Sequence, residues 1–449
     1  MLNAIASCLW GPGTLALVLG TGAFLTVRTR FLPWRKLGRA LSLALGRESR
    51  RAGQEGISPF SSLMTALAAT IGTGNLVGVA TALSSGGPGA LVWMELAAAL
   101  GLSTKFAECL LCAKYRRADR RGQLTGGPMY VMAAALGPPG AALAAMYAAL
   151  TVLASGSLGA LTQSNAIAGA WAGAAAPAVV GACTAALTLP LLLGGGRRVA
   201  GVCTWLVPAM GLFYLAAGAG VILGNLPRLP ETLGVMLRCA FSFRSVSGGA
   251  AGAAASGAWQ AMRWGVARGV FSNEAGLGSA GIAAAGAGGD PVRQGCIGMT
   301  GVFFDTCVVC TVTGLAICCS DALGAVDDAG CPVSGAALTL LAFESVWGSW
   351  GGRLLRLAAV LFAASSVLGW AYQGEAALVY LTGGRGLGAY RAVFSLLTLL
   401  GAVVPLEAVF SLTDICCALM AMPNLLCLLL LSGEVARDAR RSTAQGRSI

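Results

Sequence analysis

Histidine is absent from all 449 residues. That removes imidazole bases, imidazole metal ligands and the side chain that most readily moves protons near neutral pH. Charge is scarce too. Asp, Glu, Lys and Arg make up 11% of the chain, against roughly a quarter in a soluble domain. A chain of this size could not cover itself with a water-compatible surface. No glycine-rich nucleotide loop ending in Gly-Lys-Ser/Thr occurs, so ATP has no cradle. Acids do not cluster within the apolar runs, which leaves a membrane-embedded enzyme without a base or metal constellation. The 15 cysteines show no metal-site spacing. Many, such as Cys307, Cys310, Cys416 and Cys417, sit inside apolar runs as small packing residues. Cys319 and Cys331 flank an acidic connector (Asp321, Asp327, Asp328) and could pair on an oxidising side.

Apolar length is abundant. The chain is 56% hydrophobic, with mean hydropathy +0.76 and 65 glycines. At ~20 residues per span there is room for about ten or twelve membrane helices. Hydropathy predicts eleven, at 9–27, 60–83, 90–112, 141–170, 174–193, 202–223, 249–270, 295–319, 354–380, 391–410 and 412–431. The net charge of +12 does not point to nucleic acid, because the arginines fall in short connectors. The first connector carries Arg28, Arg30, Arg35, Lys36, Arg39, Arg47, Arg50 and Arg51. The third carries Lys114, Arg116, Arg117, Arg120 and Arg121. Arg197 and Arg198, then Arg293, then Arg385 and Arg391, mark the fifth, seventh and ninth, and Arg437, Arg440 and Arg441 lie in the tail. This alternation obeys the positive-inside rule and predicts an outer N-terminus and a cytoplasmic C-terminus. The sixth connector (Arg228, Glu231, Arg238, Arg244) is the exception, and suits a short interfacial helix. The first apolar run lacks a basic segment before it, so it reads as a span and not a secretion signal.

Two spans carry breaks. The second contains Ile71-Gly72-Thr73-Gly74-Asn75 halfway along it. Glycine leaves the helical well cheaply, and unwound backbone at membrane depth is tolerated only where protein, water or ligand pairs it. The plainer reading is close helix packing through small residues. The seventh span is also rich in glycine and polar groups. Counting inward from its outer end places the midplane near Gly257 to Trp264. Phe271, Ser272, Asn273 and Glu274 then line a cytoplasmic gate, a placement favoured because Arg263 and Arg268 cost less near water; if the helix starts later, 271–274 move to the midplane. Two breaks, five spans apart and opposed in direction, suggest inverted repeats of five helices with a binding site between the breaks, the pattern of a secondary transporter. The domain reading is one transporter unit, 1–449. It comprises an extra helix and basic connector at 1–56, repeats at 57–226 and 227–432, and a cytoplasmic tail at 433–449.

Residues 68–75, Gly86-Gly87-Pro88-Gly89-Ala90, Thr104-Lys105-Phe106-Ala107-Glu108, Gly126-Gly127-Pro128-Met129-Tyr130, Gln163-Ser164-Asn165, 265–280 and 297–311 carry a family likeness. Over nearly the whole chain the sequence resembles the alanine or glycine:cation symporters of the amino acid–polyamine–cation superfamily. The resemblance implies an all-α polytopic membrane protein with the leucine-transporter-like fold of five plus five helices. It also implies sodium as the coupling ion, with no other cofactor, and small neutral amino acids, alanine or glycine, as substrate in a cell (inner) membrane. Two departures stand out. Glu95 replaces a usual second tryptophan, and Gly281 and Ala284 replace a usual proline and histidine.

A zwitterion needs donors for its carboxylate and acceptors for its ammonium. Backbone N–H groups at Thr73 and Gly74, beginning a half-helix, suit the carboxylate; Gln163, Gly257, Trp264 and Trp370 complete the expected substrate pocket. Alternatively Gln163 is glue between helices and the tryptophans are core. Sodium wants oxygen ligands, as hard cations do. The Ala68 and Ile71 carbonyls with the Ser365 and Ser366 hydroxyls resemble the ion site of this fold, unless the serines only bond back within their own helix. A second ion site would draw on Thr70, Asn75 and Asp305, Asp305 otherwise being a structural hydrogen-bond acceptor. Lys105 and Glu108, three apart, read as a local ion pair near the inner surface, and Glu95 as an acid able to reach water. Rival readings keep the fold but couple to protons through Asp305 or Glu274, or act as a uniporter. A channel is disfavoured because the polar groups gather at two breaks and form no stripe.

Overall fold

The computed structural model describes residues 2–51, 56–118, 122–171, 175–241, 251–327 and 330–444. Gly249, Ala174, Arg120, Arg121, Arg244 and Asp328 lie outside the described residues. The architecture is all-α apart from one tiny hairpin, in which Arg117 pairs with Thr125 and Ala118 with Leu124.

In chain order the elements used below are α1 Pro12–Arg28, α2 Pro59–Thr70, α3 Val79–Gly86, α4 Gly89–Lys114, α5 Gly137–Ala154, α6 Thr162–Ala170, α7 Pro177–Leu193, α8 Gly195–Gly224, α9 Leu229–Phe241, α10 Ala251–Asn273, α11 Ser279–Ala285, α12 Pro291–Val302, α13 Thr311–Cys319, α14 Gly335–Trp347, α15 Ser349–Thr382, α16 Leu387–Gly401, α17 Leu406–Leu430 and α18 Ser432–Ala444. Among the described residues, six stretches are long and apolar enough to cross a membrane: α4, Gly137–Ala170, α8, Pro291–Cys319, α15 and Val409–Leu430. A seventh forms if α2 is joined to Gly74–Gly86 across a 51° bend. Shorter apolar helices include α1, α7, α14 and α16.

Local sequence explains the ends. Ser58 caps α2 by accepting from the Ser61 N–H, and Pro59 occupies the first turn, where no N–H is needed. The tenth span closes at Gly401, and α17 begins after Pro405. Leu406 to Phe410 therefore belong to α17 and not to α16, because proline cannot donate to a continuing helix. The sixth connector does hold a helix, α9. Helix α14 was not foreseen; at 13 residues it is too short to register as a span. Cys319 is buried, Cys331 is exposed, and neither is bonded.

The middle of the bundle is α4, buried along most of its length. Close approach depends on glycine where backbone meets backbone. A Cβ on Gly369 would lie 2.5 Å from the Ala69 nitrogen, so only glycine lets α15 lie against α2. Three wide π-type turns, Gly74–Gly78, Ser155–Leu161 and Phe303–Cys310, interrupt separate spans. Such turns recur at functional sites.

Candidate functional site

The first break is built by Ile71, Gly72 and Thr73. Helix α2 stops at Thr70, and Ile71 adopts an extended conformation. The Asn75 side chain turns back to accept from the Gly72 N–H at 2.8 Å, pairing a group the helix has dropped. The Asn75 amide then donates to Asp305 Oδ1 at 2.8 Å. Asp305 Oδ2 accepts from Ser272 and from Thr306, each at 2.9 Å. Asp305 thus holds both broken segments at once. The Thr70 hydroxyl bonds back to the Leu67 carbonyl at 3.3 Å.

Oxygens gather where α15 crosses the first break. Ser365 Oγ lies 3.4 Å from the Ala68 carbonyl oxygen and 3.5 Å from that of Ile71. Ser366 Oγ lies 3.3 Å from the same Ile71 oxygen. Ser365 also donates to Phe362 in its own helix at 2.8 Å. Hard cations hold oxygens at about 2.3–2.6 Å, so two oxygens at right angles around one ion sit about 3.3–3.7 Å apart. The observed separations fit that shell better than they fit hydrogen bonds of normal length.

Two buried side-chain oxygens of this region have no partner among the described residues: the Thr73 hydroxyl, at the break itself, and Gln163 Oε1. Gln163 is oriented by its own amide, which donates to Leu158 at 3.1 Å, five residues back across the wide turn. A Cβ on Gly72 would stand 2.4 Å from Ser366 Oγ and 3.3 Å from Gln163 Oε1, so these atoms converge on the break. A Cβ on Gly74 would stand 3.2 Å from the Ser272 Cα and 3.4 Å from the Phe271 ring. A buried orphan acceptor costs about 1–3 kcal/mol, which an ammonium or hydroxyl donor would offset.

The second break lies further along than the sequence suggests. Helix α10 runs unbroken through Gly257 and Trp264 and ends at Asn273. Glu274 then takes φ +54°, Gly276 +101° and Gly278 +79°. Residues 271–274 therefore sit beside the first break, as the later start of the helix would have it. Gly257 is exposed with nothing within 4 Å of a Cβ there, and Trp264 is half-buried about 12 Å along the helix axis from Ser272. Neither belongs to this cluster. The sequence argument placed the arginines near water to spare their charge. The fold spares it otherwise: Arg268 pairs with Asp414 at 2.9 Å and stands over the Trp264 and Phe271 rings.

Residues 274–278 are unwound, and side chains satisfy their backbone. Glu108 Oε1 accepts from the Gly276 N–H at 2.8 Å and the Gly278 N–H at 3.0 Å. Lys105 donates to the Glu274 carbonyl at 2.9 Å. Asn424 donates to the Gly276 carbonyl, and Tyr147 to that of Leu277. The Glu274 carboxylate accepts from the Trp370 indole at 3.0 Å and from Ser279. Trp370 is one turn from Ser366, so α15 touches both breaks. Lys105 and Glu108 are 3.8 Å apart and fully buried. They are a clamp on unwound backbone more than a local ion pair at the inner surface. Sequence reasoning missed this clamp, although a Lys and a Glu one turn apart inside an apolar run, and Asn424 in another, were the signal. Nor did it find Thr339 on α14, which donates to the Leu76 carbonyl from above the first break. Glu95 is half-buried and accepts from Thr311 at 2.8 Å. Glu375 pairs with Arg391 through two bonds.

Comparison with known proteins agrees over the full length. The model of the sodium:alanine symporter family matches residues 1–448. The chain is 41% identical over 447 residues to the "Sodium/alanine symporter AgcS" of Methanococcus maripaludis, covering 98% of this chain and 96% of that one. It is 34% identical over 445 residues to the "Probable sodium/glutamine symporter GlnT" of Bacillus subtilis, with 98% and 90% covered. It is 33% identical over 437 residues to the "Amino-acid carrier protein AlsT" of the same organism, with 96% and 90% covered.

Proposed function

We propose that this chain, which belongs to the sodium:alanine symporter family, carries alanine and glycine into the cell together with sodium by alternating access. It is a transporter, not an enzyme. The observation that supports the reading most directly is one cluster at the first break: four oxygens spaced for a hard cation, together with the unpartnered oxygens of Gln163 and Thr73. Sodium takes the Ala68 and Ile71 carbonyls with the Ser365 and Ser366 hydroxyls. The substrate carboxylate lies against the N–H groups of Thr73 and Gly74, which begin the second half of the broken span, where a helix's first N–H groups have no partner within the helix. The ammonium faces Gln163 Oε1. The Phe271 ring beside Gly74 and the Trp370 indole on Glu274 favour a substrate with a small side chain. Asn75 and Asp305 hold the breaks together and, with Thr70, double as a second ion site.

The hydropathy pattern supports eleven spans, the arginine distribution supports an outer N-terminus and a cytoplasmic C-terminus, and the family likeness supports a cell (inner) membrane as the location. Two repeats, 57–226 and 227–432, rock against each other around the fixed site. Residues 1–56 add one helix and 433–449 a cytoplasmic tail.

The test is uptake of labelled alanine into proteoliposomes under a sodium gradient and under an equal potassium gradient. Uptake with sodium alone supports the reading. Uptake driven by a pH gradient and indifferent to sodium would replace it with proton coupling. No uptake of alanine or glycine under any gradient would reject the substrate.

A further inference from the structure

Where α1 ends, the chain makes a tight turn. Arg30 and Phe31 both take left-handed backbone, with φ +57° and +58°, and the Phe31 N–H closes onto the Thr26 carbonyl at 2.8 Å. This turn and the following residues Leu32–Arg35 face the last helix, α18. Between them lies a cavity of about 350 Å³. Leu32 and Ala439 contribute its apolar floor, and Arg30, Arg35, Lys36 and Arg440 line it. A single water needs about 10–15 Å³ measured this way, so the space suits a group much larger than water.

Four cations line this cavity and no acid does. Among the described residues none of the four forms an ion pair. The nearby acids are engaged elsewhere: Glu434 and Asp438, on α18 itself, both hold Lys114 at 2.7 and 2.5 Å. Helix α18 thus turns its acids toward α4 and Arg440 toward the cavity. Like charges held around one space repel unless an anion joins them. The surroundings name the anion's source. Phe24 and Val27 are exposed on the α1 side of the turn, and Phe31 and Trp34 are exposed beyond it. Tryptophans such as Trp34 sit at the level of lipid headgroups, and basic pockets there bind anionic headgroups.

We propose that this cavity binds the phosphate of an anionic phospholipid, with Arg30, Arg35, Lys36 and Arg440 as its ligands. The acyl chains lie along the exposed apolar side of α1, and the lipid ties the first connector to the C-terminal helix. The site is separate from both breaks.

The experiment is native mass spectrometry of the full chain in mild detergent. Phosphatidylglycerol and phosphatidylcholine of matched acyl chains are titrated in parallel, and inorganic phosphate is added as a competitor in a further arm. One tightly retained phosphatidylglycerol is expected, held at least ten-fold better than phosphatidylcholine. The R35A/R440A variant should lose that preference, while R353A, an arginine stacked on Trp350 elsewhere, should keep it. Melting curves recorded with and without phosphatidylglycerol provide a second readout: lipid should raise the melting temperature of the wild type and not of the double variant. Equal retention of the two lipids, or unchanged preference in R35A/R440A, would overturn the proposal. Displacement of the lipid by millimolar inorganic phosphate, with phosphate alone giving the same thermal shift, would assign the site to a free phosphate anion and overturn the lipid assignment.

Discussion

Asn75 donates its amide to Asp305 across 2.8 Å, and the same carboxylate accepts from Ser272. One buried acid therefore ties the first broken span to the second through a third. A carboxylate with three donors is stable inside a bilayer only while all three remain.

Replacing Asp305 by Ala removes the carboxylate that Asn75, Ser272 and Thr306 share, leaving Asn75 its longer bonds to the residue-305 carbonyl and Cys310, and Ser272 its contact with Cys310. Each such loss costs about 1–3 kcal/mol, so D305A should melt well below the wild type and lose uptake. Asp305→Asn keeps an acceptor and the volume. It should fold, yet transport at least ten-fold slower, because a charge-assisted bond is roughly twice as strong as a neutral one. Melting curves and proteoliposome uptake of both variants decide this. A D305A variant with wild-type melting and transport would show that the tie carries no weight.

The two serines of the proposed ion site should not behave alike. Ser365 donates to the Phe362 carbonyl in its own helix at 2.8 Å, whereas Ser366 makes no such bond. Ser366→Ala therefore removes an oxygen from the ion with little effect on folding. Its half-saturating sodium concentration should rise by about ten-fold, which corresponds to about 1.4 kcal/mol, at unchanged melting temperature. Ser365→Ala should raise the sodium requirement and lower stability together. Sodium titrations of alanine uptake, paired with melting in potassium, separate the two; equal sodium affinity in S366A and wild type would remove Ser366 from the site.

Much of this arrangement was legible in the sequence because it rests on composition and on glycine. Apolar runs gave most of the helices, and Gly72-Thr73-Gly74-Asn75 marked the first break. The second break was misplaced for a physical reason. Counting 1.5 Å per residue requires knowing where a helix enters the membrane, and α10 runs on to Asn273. The sequence argument also assumed that arginine needs water, whereas Arg268 found Asp414, 146 residues away. The clamp of Lys105, Glu108, Tyr147 and Asn424 on residues 274–278 is likewise assembled from three distant spans. No local pattern encodes such a meeting. Wide turns such as Phe303–Cys310 leave no periodic signal, because one extra residue per turn barely disturbs an apolar run.

The Arg268–Asp414 pair sits among rings, with side chains 11% and 15% exposed. It is neither fully buried nor free in water, so its contribution lies between those limits. R268A and D414A should each destabilise the protein, and the double variant should cost less than the sum, with a coupling of about 0.5–3 kcal/mol. A double-mutant cycle on chemical denaturation measures it; strict additivity would mean that the pair is geometric only.

Glu108 gives the sharpest test of the second break. Its Oε1 alone accepts from two backbone N–H groups and the Asn424 amide, while Oε2 has no hydrogen-bond donor. The unwound segment needs an acceptor at that one position more than it needs a second oxygen. Glu108→Gln preserves the acceptor and should retain a measurable fraction of uptake. Glu108→Ala strands two N–H groups beside glycines whose backbone already sits at φ +101° and +79°, and should abolish uptake. The readout that isolates the break is hydrogen exchange at residues 274–278: protection should fall sharply in E108A and modestly in E108Q, with residues 59–70 unchanged. If E108A exchanges like the wild type across 274–278, the carboxylate does not hold the break, and the wide turns and glycine packing must do so alone.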